Sequence, residues 1–317
     1  MFLKVADVEA AFPAIVGEGE EWKIYSSLND MLPEKEKIEI ILNAGLEGAG
    51  LGGATVLGEF PNLRWVFNYF AGVDHYPMEM LREKGVILTN VSGVHGKNIA
   101  EQVTGAMIMF TRCYLTTMKN QQKKIYDRNL PLAELCGKKL LIVGAGAIGR
   151  EIARKAKAFD MVVTGIRNRA VAEIPENFDE MYTTDVLDEH LADQDFIVSV
   201  LPSTEKTQGL FNGEKFKLMS PDAVFMNVGR GDLIVVEDLV EALNSGEIKG
   251  AYLDVFPEEP LPEDSPLWDL ENLIITPHIA GTTPNYFPRA MEIFKENFSR
   301  YKNGKELMNV VDYNLKY

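Results

Sequence analysis

Residues 140–157 constrain this chain more than any other segment. The apolar run Leu140–Val143 leads into Gly144-Ala145-Gly146-Ala147-Ile148-Gly149, and the helix-forming stretch REIARKAKAF follows at once. A buried strand, a glycine turn and a helix start in that order call for a parallel sheet covered by helices. Gly144 permits the turn, Gly146 lets a pyrophosphate approach the backbone, and Gly149 lets the helix pack closely on the strand. Phosphates would then sit on free amides at the helix N-terminus, around Ala147, Ile148 and Gly149. A glycine turn with no ligand is the competing reading. The flanking strand and helix favour a dinucleotide.

The chain around this unit has the same character. Within 1–95, KIEIILNA (37–44), LRWVFNYF (63–70) and GVILTNVS (85–92) read as buried strands. HYPMEMLREKG reads as a short helix, and the glycine-rich stretch 45–53 as a loop. From about 96 a long helix is expected, with Ile99, Val103, Met107 and Phe110 at helical spacing. A polar, irregular stretch follows at 119–136. Beyond the glycine turn, MVVTGIRN, DFIVSVLP, DAVFMNVG, GAYLDVF and NLIITP read as strands, mostly with helical runs between them. A last amphipathic helix is expected at about 284–302.

The second strand of this series ends in Ile166-Arg167-Asn168-Arg169. At about this distance beyond the glycines, an NAD-binding domain usually places an acid against the ribose 2′-hydroxyl. This chain has Arg167 instead. An arginine can bind a 2′-phosphate bidentately, and Asn168 and Arg169 add a donor and a second charge. NADP(H) is therefore expected over NAD(H). The alternative is that these are solvated loop charges and NAD binds without an acidic partner.

Charge excludes some partners. The 317 residues carry 32 Lys and Arg against 47 Asp and Glu, a net charge of −15. So acidic a surface argues against nucleic acid and anionic membranes as partners. No apolar run reaches the length of a membrane span, and Asp7 and Glu9 interrupt the N-terminal apolar stretch, so neither a span nor a signal peptide is expected. A cytoplasmic location is the expectation. Two cysteines, Cys113 and Cys136, and four histidines leave little material for a disulfide scaffold or a metal centre, and no metal is expected.

Three downstream motifs place a charged or titratable residue after an apolar strand: Asn227-Val228-Gly229-Arg230-Gly231, Leu253-Asp254-Val255-Phe256-Pro257-Glu258-Glu259-Pro260, and Thr276-Pro277-His278-Ile279-Ala280-Gly281. In an open α/β sheet, ligands bind at that edge. With Leu201-Pro202, Thr204, Thr207, the run Asp264–Trp268 and the N-terminal Ala71-Gly72-Val73-Asp74-His75, these motifs closely resemble the D-isomer-specific 2-hydroxyacid dehydrogenase family over essentially the whole chain.

The resemblance implies an α/β fold in which a Rossmann dinucleotide-binding domain (96–282) is inserted into a smaller flavodoxin-like substrate domain (1–95 with 283–317), with the active site in the cleft between them. It implies hydride transfer between NADP(H) and a small 2-oxo acid or D-2-hydroxy acid. His278 would be the acid/base, oriented by Glu259, with Glu258 the neighbouring alternative. Arg230 would bind the substrate carboxylate, aided by backbone amides of Ala71, Gly72 and Val73. The dinucleotide would be held by Gly144, Gly146, Ala147, Ile148, Gly149, Arg167, Asn168, Arg169, Leu201, Pro202, Thr207, Val228, Gly229, Ala280 and Gly281, with Asp254 near the nicotinamide. A homodimer through 113–136 is implied as well, and no third, regulatory domain is expected.

Simpler readings stand beside these: a surface ion pair for Arg230, a turn-start acid for Glu259 and a satisfied core histidine for His278. Tyr69, Phe70 and Tyr286 fit a substrate pocket or core packing equally. A dinucleotide-sensing scaffold, like the family's corepressors, is the alternative function. Turnover of pyruvate, glyoxylate or hydroxypyruvate would separate it from an enzyme.

Overall fold

The computed structural model describes residues 15–17, 20–25, 27–43, 56–73 and 75–314. The glycine-rich segment 45–53, the N-terminal stretch with Asp7 and Glu9, and Asp74 lie outside the described residues. The elements described include, in chain order, α1 (Leu28–Met31), β1 (Ile40–Asn43), β2 (Trp65–Asn68), α2 (Met78–Glu83) and β3 (Ile87–Thr89). They continue through α3 (Gly96–Thr111), α4 (Tyr114–Gln122), β4 (Lys139–Val143), α5 (Ala147–Lys157), β5 (Val162–Arg167), β6 (Glu180–Thr183) and β7 (Phe196–Ser199). Then come α6 (Gly213–Lys217), β8 (Val224–Asn227), α7 (Val236–Ser245), β9 (Gly250–Leu253), β10 (Leu273–Ile275) and α8 (Tyr286–Lys302).

Two compact units result: Met1–Val94 with Thr283–Tyr317, and His95–Thr282. In the first, β1, β2 and β3 form a parallel sheet in that order. Alternation along β2 sorts its side chains onto two faces. Trp65 and Phe67 join α8 through Phe294, Met291 and Ala290, while Val66 joins Leu57, Leu81 and Leu88. The Trp65 ring stacks on Phe294 with centroids 5.4 Å apart. Tyr69 and Tyr286 belong to the same core, and the Tyr286 hydroxyl donates to the Tyr69 carbonyl at 2.7 Å. Burial pushes the Tyr69 phenol up to about 12.

The second unit is built on a seven-stranded parallel sheet in the order β10-β9-β8-β7-β4-β5-β6. Leu140 and Ile142 of β4 face a cluster with α3 and α5, whereas Leu141 and Val143 face one with α7. Both faces are therefore covered, as near-continuous apolar strands require. The strand order reverses between β4 and β7.

Two local expectations fail. The long helix breaks: α3 ends at Thr111, Cys113 adopts a left-handed backbone (φ 54°), and α4 starts again at Tyr114. Part of the segment expected to be irregular is thus helical. None of α4's residues is buried, so no apolar stripe announced it. The edge strand β6 was not expected either. None of its four residues is fully buried, so hydrogen bonding to β5 defines it rather than an apolar run. Among the described residues, no helix is long and apolar enough to cross a membrane.

Candidate active site

Register brings the predicted segments of the second unit to one edge of its sheet. Val143 pairs with Ser199, Ser199 with Asn227, Asn227 with Leu253, and Leu253 with Ile275. The residues that follow each of these leave the sheet together, at its carboxyl edge and at the reversal point where open α/β sheets bind ligands.

The glycine turn fits a dinucleotide. A Cβ on Gly146 would meet nothing within 4 Å, so the space beside it is open. Gly146 precedes α5 without a side-chain cap, which leaves the first-turn amides of Ala147, Ile148 and Gly149 available to an anion. Gly144 has φ +109°, and a Cβ there would come within 2.9 Å of the Val200 carbonyl. A Cβ on Gly149 would sit 2.5 Å from the Gly144 oxygen, so α5 packs against the turn.

The Gly144 and Ala145 amides both donate to the Ile166 carbonyl, at 2.9 and 3.0 Å. Arg167, the next residue, is thereby held beside the turn. Neither Arg167 nor Arg169 makes an ion pair among the described residues. Asn168 accepts a long, 3.5 Å bond from Thr184.

The 200–207 and 228–230 loops pack tightly. A Cβ on Gly229 would lie 2.5 Å from the Leu201 oxygen. Val228 donates to Ser199 at 3.1 Å. Fully buried Asn227 accepts from the Gly229 amide and donates to the Arg230 carbonyl at 2.8 Å. Arg230 itself is exposed, and its only side-chain bond among the described residues is to the Gly229 carbonyl. The Thr207 hydroxyl is used inside its own loop, donating to Pro202 at 2.7 Å and accepting from the Thr204 amide at 2.8 Å.

Glu259 and His278 meet. His278 Nδ1 lies 2.7 Å from Glu259 Oε2, and Glu259 Oε1 accepts from the Phe256 amide at 2.9 Å. A carboxylate can only accept, so this contact favours the tautomer with the proton on Nδ1 and leaves Nε2 without it. Among the described residues, Glu258 makes no such bond.

Asp254, expected near the nicotinamide, makes a set of bonds that the sequence did not show. It is 2 % exposed and accepts from Thr276 Oγ1, from the Ile279 amide (3.1 Å) and from the Ala280 amide (3.0 Å), while its carbonyl accepts from the His278 amide at 2.8 Å. All these bonds hold the loop that carries His278, which turns through a left-handed conformation (φ 52°).

A directed chain feeds the same carboxylate. Gln102 of α3 donates to the Tyr252 hydroxyl (2.7 Å) and to Thr276 Oγ1 (3.1 Å), and the Tyr252 and Thr276 hydroxyls are 2.9 Å apart. Burial pushes the Tyr252 phenol up to about 12, so it stays a neutral donor. Asn98 donates to the Ala280 carbonyl (2.6 Å), and His95 Nδ1 meets the Gly281 carbonyl (2.8 Å). Burial holds the His95 pKa below the usual histidine range, opposed by the bond to the Gly281 carbonyl and reinforced by the nearby Arg230 guanidinium. In the sequence Asn98 and Gln102 look no different from the other polar residues of α3, such as Lys97 and Glu101. Among the described residues, no cluster of His, Cys, Asp or Glu could hold a metal ion.

In the first unit, the Ala71-Gly72-Val73 loop follows β2, and its three amides have no partner among the described residues.

A glycine turn at the reversal point of an all-parallel sheet defines a Rossmann-type dinucleotide-binding protein. Comparison with known proteins narrows that class. Residues 104–280 match the family model described as D-isomer specific 2-hydroxyacid dehydrogenase, NAD binding domain. A glyoxylate reductase from Thermococcus onnurineus is 33% identical over 260 residues, covering 80% of this chain and 77% of the relative. A D-isomer specific 2-hydroxyacid dehydrogenase family protein from Aeromonas salmonicida has a similar structure, with TM-score 0.77, 33% identity and coverage of 97% and 96%. An NADPH-dependent glyoxylate/hydroxypyruvate reductase from Sinorhizobium meliloti, solved with NADP and sulfate, has TM-score 0.80, 28% identity and coverage of 100% and 97%. The chain belongs to the D-isomer specific 2-hydroxyacid dehydrogenase family.

Proposed function

We propose that this protein is an NADP(H)-dependent reductase of small 2-oxo acids, interconverting them with D-2-hydroxy acids. The observation that carries this reading is the 2.7 Å Glu259–His278 pair at the sheet edge that also presents the exposed Arg230. The names of the glyoxylate and hydroxypyruvate reductases among its relatives support the substrate class.

When bound, the nicotinamide cofactor supplies the hydride. The amides of Ala147, Ile148 and Gly149 would hold its phosphates, Leu201, Pro202, Val228 and Gly229 would line its path, and Arg167 and Arg169 would neutralise a 2′-phosphate. The absence of an ion pair at either arginine among the described residues and the NADP-bound relative support NADP(H), with NAD as the weaker ligand. Asn168 is a lesser contact.

His278 Nε2 gives its proton to the substrate carbonyl oxygen in reduction and takes it back in oxidation. Glu259 keeps the ring in the tautomer this needs and stabilises the imidazolium. Arg230 binds the substrate carboxylate through its planar fork and offsets charge developing on the carbonyl oxygen. The Ala71, Gly72 and Val73 amides donate to the carboxylate as well, a reading that rests on the sequence resemblance and on their having no partner among the described residues. Asp254 acts by holding the His278 loop, with Ala280 and Gly281 fixed in turn by Asn98 and His95.

Second-copy pairing through 113–136 fits the exposure of Tyr114, Met118, Ile125, Tyr126 and Leu132, with Tyr126 92% exposed. The decisive experiment for the reading as a whole is a 2-oxo acid panel (glyoxylate, hydroxypyruvate, pyruvate) assayed with NADPH and with NADH. Absence of NADPH oxidation with every acid would overturn it.

A further inference from the structure

Three successive carbonyls in the loop after β2 are held by two buried asparagines. Asn68, at the end of β2, donates both amide protons: one to Phe70 O and one to Gly72 O, each at 2.8 Å. Asn90, just past β3, donates to Ala71 O at 2.8 Å. Both side chains are nine-tenths or more buried.

Their orientation is not ambiguous, because a carbonyl oxygen can only accept, so the nitrogen of each side chain must face the loop. The opposite ends are tied as well. Asn68 Oδ1 accepts from the Tyr76 hydroxyl at 3.1 Å, and Tyr76 in turn accepts from Asn43 at the end of β1. Asn90 Oδ1 accepts from the Ser92 amide at 3.0 Å, and its backbone exchanges bonds with Asn309. Burial pushes the Tyr76 phenol upward, which keeps it a protonated donor.

A planar trans peptide carries its N–H opposite its C=O. Fixing the carbonyls of Phe70, Ala71 and Gly72 therefore fixes the directions of the Ala71, Gly72 and Val73 N–H groups, and turns all three away from the asparagines. These amides are the ones left without partners among the described residues. Successive backbone N–H groups held in this way form an anion-binding concavity.

We propose that Asn68 and Asn90 are positioning residues for the substrate carboxylate, setting its affinity by aiming the Ala71–Val73 amides. This rests on the reading of that loop given under the proposed function. Neither residue is a catalytic residue, since each acts through the backbone it holds.

The test uses the full-length protein and the variants N68D, N90D and N90A. N68D keeps the acceptor for Tyr76 but loses both donors and sets a carboxylate against two carbonyls. N90D keeps the Ser92 bond and loses the donor to Ala71. Both ground state and transition state carry the carboxylate, so its loss is uniform and falls on KM. The expected result is a rise of about 10- to 100-fold in KM for glyoxylate, a parallel rise in the inhibition constant of oxalate, and kcat within about 3-fold of wild type. The Kd for NADPH stays unchanged.

A merely structural role would lower Tm and the active fraction while leaving KM and the oxalate constant in place. That result in an active wild-type background overturns the proposal and leaves the function standing. A wild type that reduces no 2-oxo acid overturns the function, and the proposal with it. If N68D does not fold, the two Asn90 variants decide the matter by the same pair of constants.

Discussion

Asp254→Asn tests the idea that one buried carboxylate holds the loop carrying His278. The wild-type carboxylate is 2 % exposed and only accepts: Oδ1 from Thr276 Oγ1 and the Ile279 amide, Oδ2 from the Ala280 amide. Asparagine is nearly isosteric but has one acceptor and one donor. If its oxygen takes the Oδ1 place, its NH2 faces the Ala280 N–H. If it is flipped, its NH2 faces the Ile279 N–H. Thr276 can rotate its hydroxyl to accept, but a backbone amide cannot, so either orientation sets donor against donor.

Ala280 is 3 % exposed, so water cannot compensate there. One buried unsatisfied donor costs about 1–3 kcal/mol, and exchanging the ion for a neutral acceptor weakens the remaining bonds, for a total of roughly 2–4 kcal/mol. In a domain of this size that corresponds to a fall in Tm of about 4–16 °C. The loop's loosening should also misplace His278. We expect kcat to fall about 10- to 100-fold, as for a modest misplacement of a reacting group, while NADPH Kd moves little. Thermal unfolding followed by circular dichroism, cofactor titration and steady-state kinetics read the three quantities. A variant melting within about 2 °C of wild type with normal kcat would show that Asp254 does not hold this loop.

Other perturbations separate the remaining roles. Arg230→Ala should lower kcat/KM by about 10²- to 10⁴-fold, measured with glyoxylate; near-normal turnover removes Arg230 from the site. His278→Gln should lower kcat by about 10²- to 10⁴-fold with NADPH binding intact, and a parallel loss of NADPH affinity would make His278 a structural residue. Arg167→Asp should move the ratio of efficiencies from NADPH toward NADH; an unchanged ratio means that Arg167 does not read the 2′-phosphate. His95 is held neutral, its folded pKa below the unfolded value of about 6.5. Below that value the unfolded state binds the extra proton first, so stability is intact near pH 7 and falls as pH drops toward the folded value. His95→Asn, which can keep a donor toward Gly281, should lose less Tm between pH 7 and 5 than wild type does.

Much of the second unit was legible along the chain because its elements are local patterns. Leu140–Val143 before the glycines and Val224–Asn227 before Gly229 are apolar runs that end at a turn, and Arg230 and His278 stand a few residues beyond such runs. The Glu259 contact depended on two motifs whose meeting only the resemblance implied. What escaped was polar and long-range, or lacked an apolar signature. β6 and α4 bury nothing fully. The bonds made by Thr207 and Asp254 were not legible either: one hydroxyl closes its own turn and the carboxylate holds a loop more than twenty residues later. Asn68 and Asn90 carried no motif at all.

By itself, the sequence determined the parallel sheet, the place of the glycine turn, the arginines beside it and the family, because hydrophobic period, glycine sterics and charge act over a few residues. The tertiary structure alone decided which polar groups hold the site. Asn98 reaches a carbonyl 182 positions away, and Gln102, Tyr252 and Thr276 form one chain only when α3, β9 and the end of β10 are packed together. Buried polar groups must find partners wherever the fold brings them, and no spacing along a chain announces that choice.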